Sequence, residues 1–147
     1  MTVGYQRTLP LLTDLNRPFW TGGANGELLI LRCGACGFWQ HPPQPRCRRC
    51  LSDEVAPEAV SGQGVIESFT LNMKSWGEGL EIPYAIAVVG LDEQPGLRLT
   101  TNIVGVDPHA VVIDMRVRVV FEQDEDVWLP LFTPIDATPS GADRRQP

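Results

Sequence analysis

The chain has 147 residues, 43% of them hydrophobic, and carries a formal charge of −6. That length suits one ordinary domain with a small addition, and no run approaches the roughly 20 apolar residues of a membrane-spanning helix. An acidic chain with a single lysine, Lys74, also argues against nonspecific nucleic-acid binding, which needs cations to meet phosphates.

Residues 1–26 read as an N-terminal segment. Leu9, Leu11, Leu12 and Leu15 form an apolar patch in a loosely structured stretch. Asn16 is placed to cap a short helix with Pro18 in its first turn, where a missing N–H costs nothing. Phe19 and Trp20 are its anchors, and Gly22, Gly23 and Gly26 keep it short. The two rings either pack on the following structure, the commoner fate of aromatics, or dock a partner.

Residues 27–60 carry the clearest chemical signal. A strand over 28–32 leads into Cys33-Gly34-Ala35-Cys36-Gly37, and Cys47-Arg48-Arg49-Cys50 follows ten residues later. Each Cys-x-x-Cys turn presents two sulfurs about 3.5–4 Å apart, one edge of a tetrahedral site with Zn–S near 2.3 Å. Disulfide pairing fits poorly without an apolar secretion signal, and a redox pair would use one such motif opening a helix. We expect structural Zn2+ on Cys33, Cys36, Cys47 and Cys50, with rubredoxin-like iron left open. Four protein sulfurs leave no open position for hydrolysis. Such a site carries net −2, which brings the zinc-loaded chain to about −8. Arg32, Arg46, Arg48 and Arg49 crowd it, either as charge balance or as a phosphate clamp. Pro42-Pro43-Gln44-Pro45 is a rigid link between the cysteine pairs. Residues 51–60 read as a connector, with Pro57 limiting any strand pairing.

Residues 61–135 read as five strands, near 65–71, 84–89, 97–104, 117–121 and 127–132. A capped turn at Asp107-Pro108 lies between the third and fourth, and Asp124-Glu125-Asp126 makes a hairpin tip between the last two. That order is the OB-fold, a small Greek-key barrel. The loop 72–83 holds Lys74 and Trp76, and loops of this kind carry ligands in OB-folds. Residues 136–147 read as a disordered tail. No sequence motif supports autonomous catalysis: His41 and His109 lack an adjacent nucleophile pattern, and Lys74 reads as a solvated loop lysine.

Taken together, these residues resemble the acyl-CoA-associated proteins built of a rubredoxin-like zinc ribbon followed by an OB-fold. The resemblance is carried by Phe19-Trp20, the two cysteine pairs with Pro42-Pro43 between them, and the run from Ser61 to Thr70. Pro83-Tyr84, Gly105-Val106-Asp107-Pro108, Met115-Arg116-Val117 and Leu129-Pro130-Leu131-Phe132 complete it. It covers about residues 16 to 135. Asp114 departs from the pattern, which has glycine there, and puts a tight turn in question. The resemblance implies a mainly β protein: a short N-terminal helix, a zinc ribbon and a five-stranded OB-fold barrel. It further implies a non-catalytic subunit of a lyase or acyltransferase complex. The partner would be a thiolase-like enzyme, such as a lipid-transfer-protein-like aldolase, in a two-plus-two heterotetramer. The complex would act on a coenzyme A thioester, by retro-aldol cleavage of a steroid-type side chain. The alternatives are Claisen or acyl-transfer chemistry and, in a different class, a nucleic-acid-binding module. Candidate coenzyme A or partner contacts are Arg46, Arg48, Arg49, Trp76, Phe19 and Trp20. With no run of membrane-spanning length, the expected location is cytoplasmic.

Overall fold

The computed structural model describes residues 7–75 and 81–135. Helix α1 (Arg17–Thr21) and a 3-10 turn (Gly22–Asn25) come first. They are followed by β1 (Leu28–Cys33), β2 (Trp39–Gln40) and β3 (Val55–Val60). Then come β4 (Gln63–Asn72), β5 (Tyr84–Leu91), β6 (Arg98–Ile103), a second 3-10 turn (Pro108–Ala110), β7 (Arg116–Asp124) and β8 (Val127–Pro134). Strands β2-β1-β3 make an antiparallel ribbon sheet, and β4-β5-β6-β8-β7 close a barrel. The fold is thus mainly β, with a short helix, a ribbon and a five-stranded OB-type barrel. Trp76 and the tail 136–147 lie outside the described residues.

The barrel is built unevenly. β4 pairs with β5 over eight positions, with a bulge between Ile66 and Ser68. β6 and β8 meet, in parallel, only at Ile103 and Phe132. Phe132 is fully buried at that closure, together with Ile66, Val89 and Val117. β8 is buried along nearly its whole length, because its inner side fills the barrel and its outer side is covered. The cover is the N-terminal segment: Leu9, Leu12 and Trp20 pack on Val127, Leu129 and Leu131. Leu11 stays 84% exposed, so the apolar patch read from sequence is split between both sides. Gly23 permits the close approach, since a Cβ there would lie 2.5 Å from Trp128 Cβ and 2.6 Å from Phe121 Cδ1.

Three local readings need correction. Val55–Val60 is a strand, not a connector. It pairs with β1 from Leu28↔Val60 to Cys33↔Val55. Pro57 is tolerated because β3 is an edge strand, where a missing N–H need not break a second ladder. Asn16 stands at the N-cap of α1 but makes no side-chain cap bond. Its side-chain oxygen instead accepts from the Thr13 N–H at 2.7 Å, and its amide donates to the Leu11 carbonyl. Asp114 keeps the left-handed turn that glycine makes elsewhere, at φ +70. Asp is among the few residues that tolerate this region. At Asp107 the expectation holds: its carboxylate accepts from the His109 N–H and caps the second 3-10 turn.

Ribbon and barrel share one core. Leu28 and Ile30 of β1, Trp39 of β2 and Phe19 of α1 belong to the same buried cluster as Ile66, Val89 and Phe132. Polar bonds fix their relative placement. Gln94, in the β5–β6 loop, accepts from the Trp39 N–H at 2.9 Å and donates to the Trp39 carbonyl at 2.8 Å. Its neighbour Glu93 accepts from the Ser61 N–H at 2.6 Å. Asp92 takes both Arg116 Nη1 and Nη2 at 2.7 Å, and this guanidinium holds its carboxyl below the usual range. One loop therefore ties the ribbon, the ribbon–barrel junction and the barrel wall.

Candidate metal centre and ribbon face

The four cysteines converge. Their Sγ atoms all lie within 4.8 Å of one another. Cys33 and Cys47 are buried, whereas Cys36 and Cys50 are exposed. In the first knuckle the N–H groups of Ala35 and Cys36 donate to Cys33 Sγ at 3.3 and 3.4 Å. In the second, those of Arg49 and Cys50 donate to Cys47 Sγ at 3.4 and 3.5 Å. Such N–H groups stabilise sulfur as thiolate, the form that binds metal. Burial pushes the Cys47 thiol up, but the Cys50 and Arg49 N–H groups outweigh it and leave it at about 6. Cys50 is pushed up to about 12: the Ser52 N–H favours its thiolate, and burial with the neighbouring sulfurs outweighs that. The donor set fits Zn2+ in a closed, structural site, supplied by Cys33, Cys36, Cys47 and Cys50.

The knuckles share one backbone outline, and a different residue closes each turn. Gly37 follows Cys36 at φ +81, and Leu51 follows Cys50 at φ +68. The Gly37 N–H returns to the Cys33 carbonyl at 2.9 Å, and the Leu51 N–H to the Cys47 carbonyl at 2.8 Å. Gln40, 2% exposed, holds the second knuckle from behind. Its Nε2 donates to the Arg46 carbonyl and its Oε1 accepts from the Arg48 N–H, at 2.9 and 3.0 Å.

The arginines divide by role. Arg32 is committed within the ribbon: it donates to the Gly37 carbonyl, pairs with Glu58 at 3.1 Å and lies over the Trp39 ring. Arg46 donates to the Leu51 carbonyl at 3.1 Å. Arg48 and Arg49 both stand over the Phe38 ring, 5.4 and 5.6 Å from its centre. Among the described residues, none of these last three has a carboxylate within ion-pair distance.

Phe19 is buried, edge-on to Trp20 and 4.6 Å from the His41 ring. Its ring is spent on internal packing. Trp20 lines a cleft of about 440 Å³ that also takes in His41, Pro42, Arg98, Thr100 and Asn102. Burial lowers His41 to about 4, so the ring is neutral near pH 7. His109 is exposed, beside Asp107 at 3.3 Å. Sequence reasoning missed Gln40, Gln94 and Leu51. The two glutamines contact main chain and leave no pattern. Leu51 had a signal, because it takes the place that Gly37 holds in the first knuckle.

A zinc ribbon carried on an OB-fold barrel is the class that these elements define. Within that class the chain belongs to the ChsH2 (DUF35) family. The ChsH2 rubredoxin-like zinc ribbon domain matches residues 20–56, and the ChsH2 C-terminal OB-fold domain matches residues 57–122. A probable enoyl-CoA hydratase alpha subunit of Thermomonospora curvata is 36% identical over 129 residues, 87% of this chain and 40% of the relative. The 3-oxo-4,17-pregnadiene-20-carboxyl-CoA hydratase alpha subunit of Mycobacterium tuberculosis is 35% identical over 116 residues, 79% of this chain and 36% of the relative. The chain thus spans about two fifths of the length of these hydratase subunits. In the solved Ltp2-ChsH2(DUF35) aldolase, one chain superposes with a TM-score of 0.74 and is 34% identical. The match takes in 86% of this chain and 98% of that one. No helix among the described residues is long and apolar enough to cross a membrane.

Proposed function

We propose that this chain is an accessory subunit that binds a thiolase-like enzyme and supports carbon–carbon bond chemistry on an acyl-CoA. The observation that carries this reading is the superposition on nearly the whole ChsH2(DUF35) chain of an aldolase complex. The reaction favoured is retro-aldol cleavage. The Cα–Cβ bond of a β-hydroxyacyl-CoA breaks, the hydroxyl loses its proton to become a ketone, and the α-carbon is protonated to leave a shorter acyl-CoA. The acid and base for these proton transfers belong to the partner. The steroid-type side chain follows the name of the Mycobacterium tuberculosis hydratase relative.

This chain's own contributions are shape and charge. Zinc, when bound, supplies a structural crosslink. The ribbon then presents Arg46, Arg48 and Arg49, whose guanidiniums suit coenzyme A phosphates or partner carboxylates. Trp20 is the candidate contact of the N-terminal helix, on the cleft beside His41. Two copies on a dimeric partner give the expected two-plus-two assembly. The test is co-expression with the Ltp2 subunit of that aldolase. Co-purification, and a ketone product that neither subunit makes alone, are the expected results. Failure to co-purify, with turnover unchanged by adding this chain, overturns the reading. Arg48→Ala with Arg49→Ala then tests the phosphate contact, and unchanged acyl-CoA affinity of the complex removes it.

A further inference from the structure

Leu51 combines two unfavourable features at one residue. Its backbone sits at φ +68, where a leucine Cβ crowds its own carbonyl. Its side chain is 68% exposed. The first knuckle makes the same turn with glycine, at no steric penalty. The leucine therefore does nothing for the turn and buries little within the chain. Its surroundings are those of a contact surface. Pro42, Pro45 and Gln44 line a groove of about 350 Å³ beside it, with Arg46 and Arg48. Residues 37–52 hold Arg46, Arg48 and Arg49 and no acidic residue, on a chain whose net charge is −6. Gln40 fixes the knuckle backbone from the buried side, so this face is held rather than left to sample positions.

We infer that Leu51 is the anchor by which the second knuckle docks a protein partner, inserting into an apolar pocket rimmed by carboxylates. What singles out Leu51 is that an exposed aliphatic side chain is kept on a left-handed backbone that glycine would make without strain, on a held face beside arginines, the charged residue that interfaces favour. Arg46, Arg48 and Arg49 outnumber the net −2 of the zinc-loaded thiolates, and none pairs with a carboxylate among the described residues, so their guanidiniums favour carboxylates on the partner. The inference rests on the accessory-subunit reading and names the point of contact within it.

The backbone strain supplies a clean variant. Leu51→Gly removes the anchor and relieves the turn, so the melting temperature and the zinc content should stay equal or rise. With the Ltp2 subunit of the aldolase as probe, its Kd for the zinc-loaded full chain should rise about thirty-fold or more, the loss typical of an interface anchor. Leu51→Met should restore most of the affinity. Arg46→Glu should weaken binding further than Arg46→Ala, and the difference should shrink in 1 M salt. Equal affinity of wild type and Leu51→Gly overturns the anchor alone. Absence of binding by wild type overturns the accessory-subunit reading, and the anchor with it. Self-association of the chain that Leu51→Gly abolishes would assign the site to a second copy and overturn the acidic partner.

Discussion

Acid should destabilise this protein through His41 in a specific window. The ring is part-buried between Phe19 and the floor of the cleft, and burial holds it down to about 4 against 6.5 in the open. Arg7 and Arg98 line the same cleft, so an imidazolium there would meet like charge, tempered by Glu122 and Glu67, which pair with them. The unfolded chain therefore binds the proton more readily than the folded one. Stability is complete above pH 6.5 and is lost as the pH falls towards 4, after which the loss levels off. At about 1.4 kcal/mol per pH unit, the window sets an upper limit of about 3 kcal/mol, and residual solvent contact reduces the expectation to about 2. His41→Phe keeps a ring against Phe19 and cannot titrate. Urea unfolding of both proteins at pH 7, 6, 5 and 4 gives the difference curve, in which the acid responses of cysteines and carboxylates cancel. The stability of wild type relative to the variant should fall by about 2 kcal/mol between pH 7 and pH 4. Parallel curves, or an NMR titration of His41 centred near 6.5, would refute the reasoning.

Four other perturbations follow from the geometry. Cys47→Ser should reduce bound zinc from one equivalent to near none by elemental analysis. Chelation should break capture of the Ltp2 subunit first and turnover only with it, so lost turnover from an intact complex would misplace the metal's role. Gln94→Ala removes both bonds to Trp39 and should cost about 1–3 kcal/mol, with faster hydrogen exchange in β2 while the barrel strands stay protected. Gly23→Ala forces a methyl against Trp128 and Phe121 and should cost about 1–3 kcal/mol in thermal unfolding, with increased protease cleavage near residues 7–25.

The parts legible in the sequence were those written in local periodicity or fixed spacing. Two Cys-x-x-Cys pairs announced the knuckles, and the apolar runs over 84–89 and 127–132 announced barrel strands that the fold extends to Tyr84–Leu91 and Val127–Pro134. β3 was not legible, because an edge strand bearing Pro57 is mostly exposed and has little apolar pattern. The joint between ribbon and barrel was invisible for another reason. Gln94 and Trp39 are 55 positions apart and meet through main-chain atoms, so neither residue type predicts the other. The arginines were legible as a cluster, but only the fold separates Arg32, tied to Glu58, from Arg46, Arg48 and Arg49. Phe19 and Trp20 looked equivalent in sequence, yet one lies inside the core and the other edges a cleft.

The glutamine contacts have a consequence for how such a chain can diverge. Gln94 grips the amide and carbonyl of residue 39, and Gln40 grips the carbonyl of residue 46 and the amide of residue 48. Every residue except proline offers the same amide and carbonyl. The grip is therefore blind to the side chains carried at 46 and 48, the positions that face outward. Those positions can be rewritten one at a time, for a different partner or cargo, while the face keeps its orientation on the barrel. Inheritance of the pose is thus separated from inheritance of the specificity.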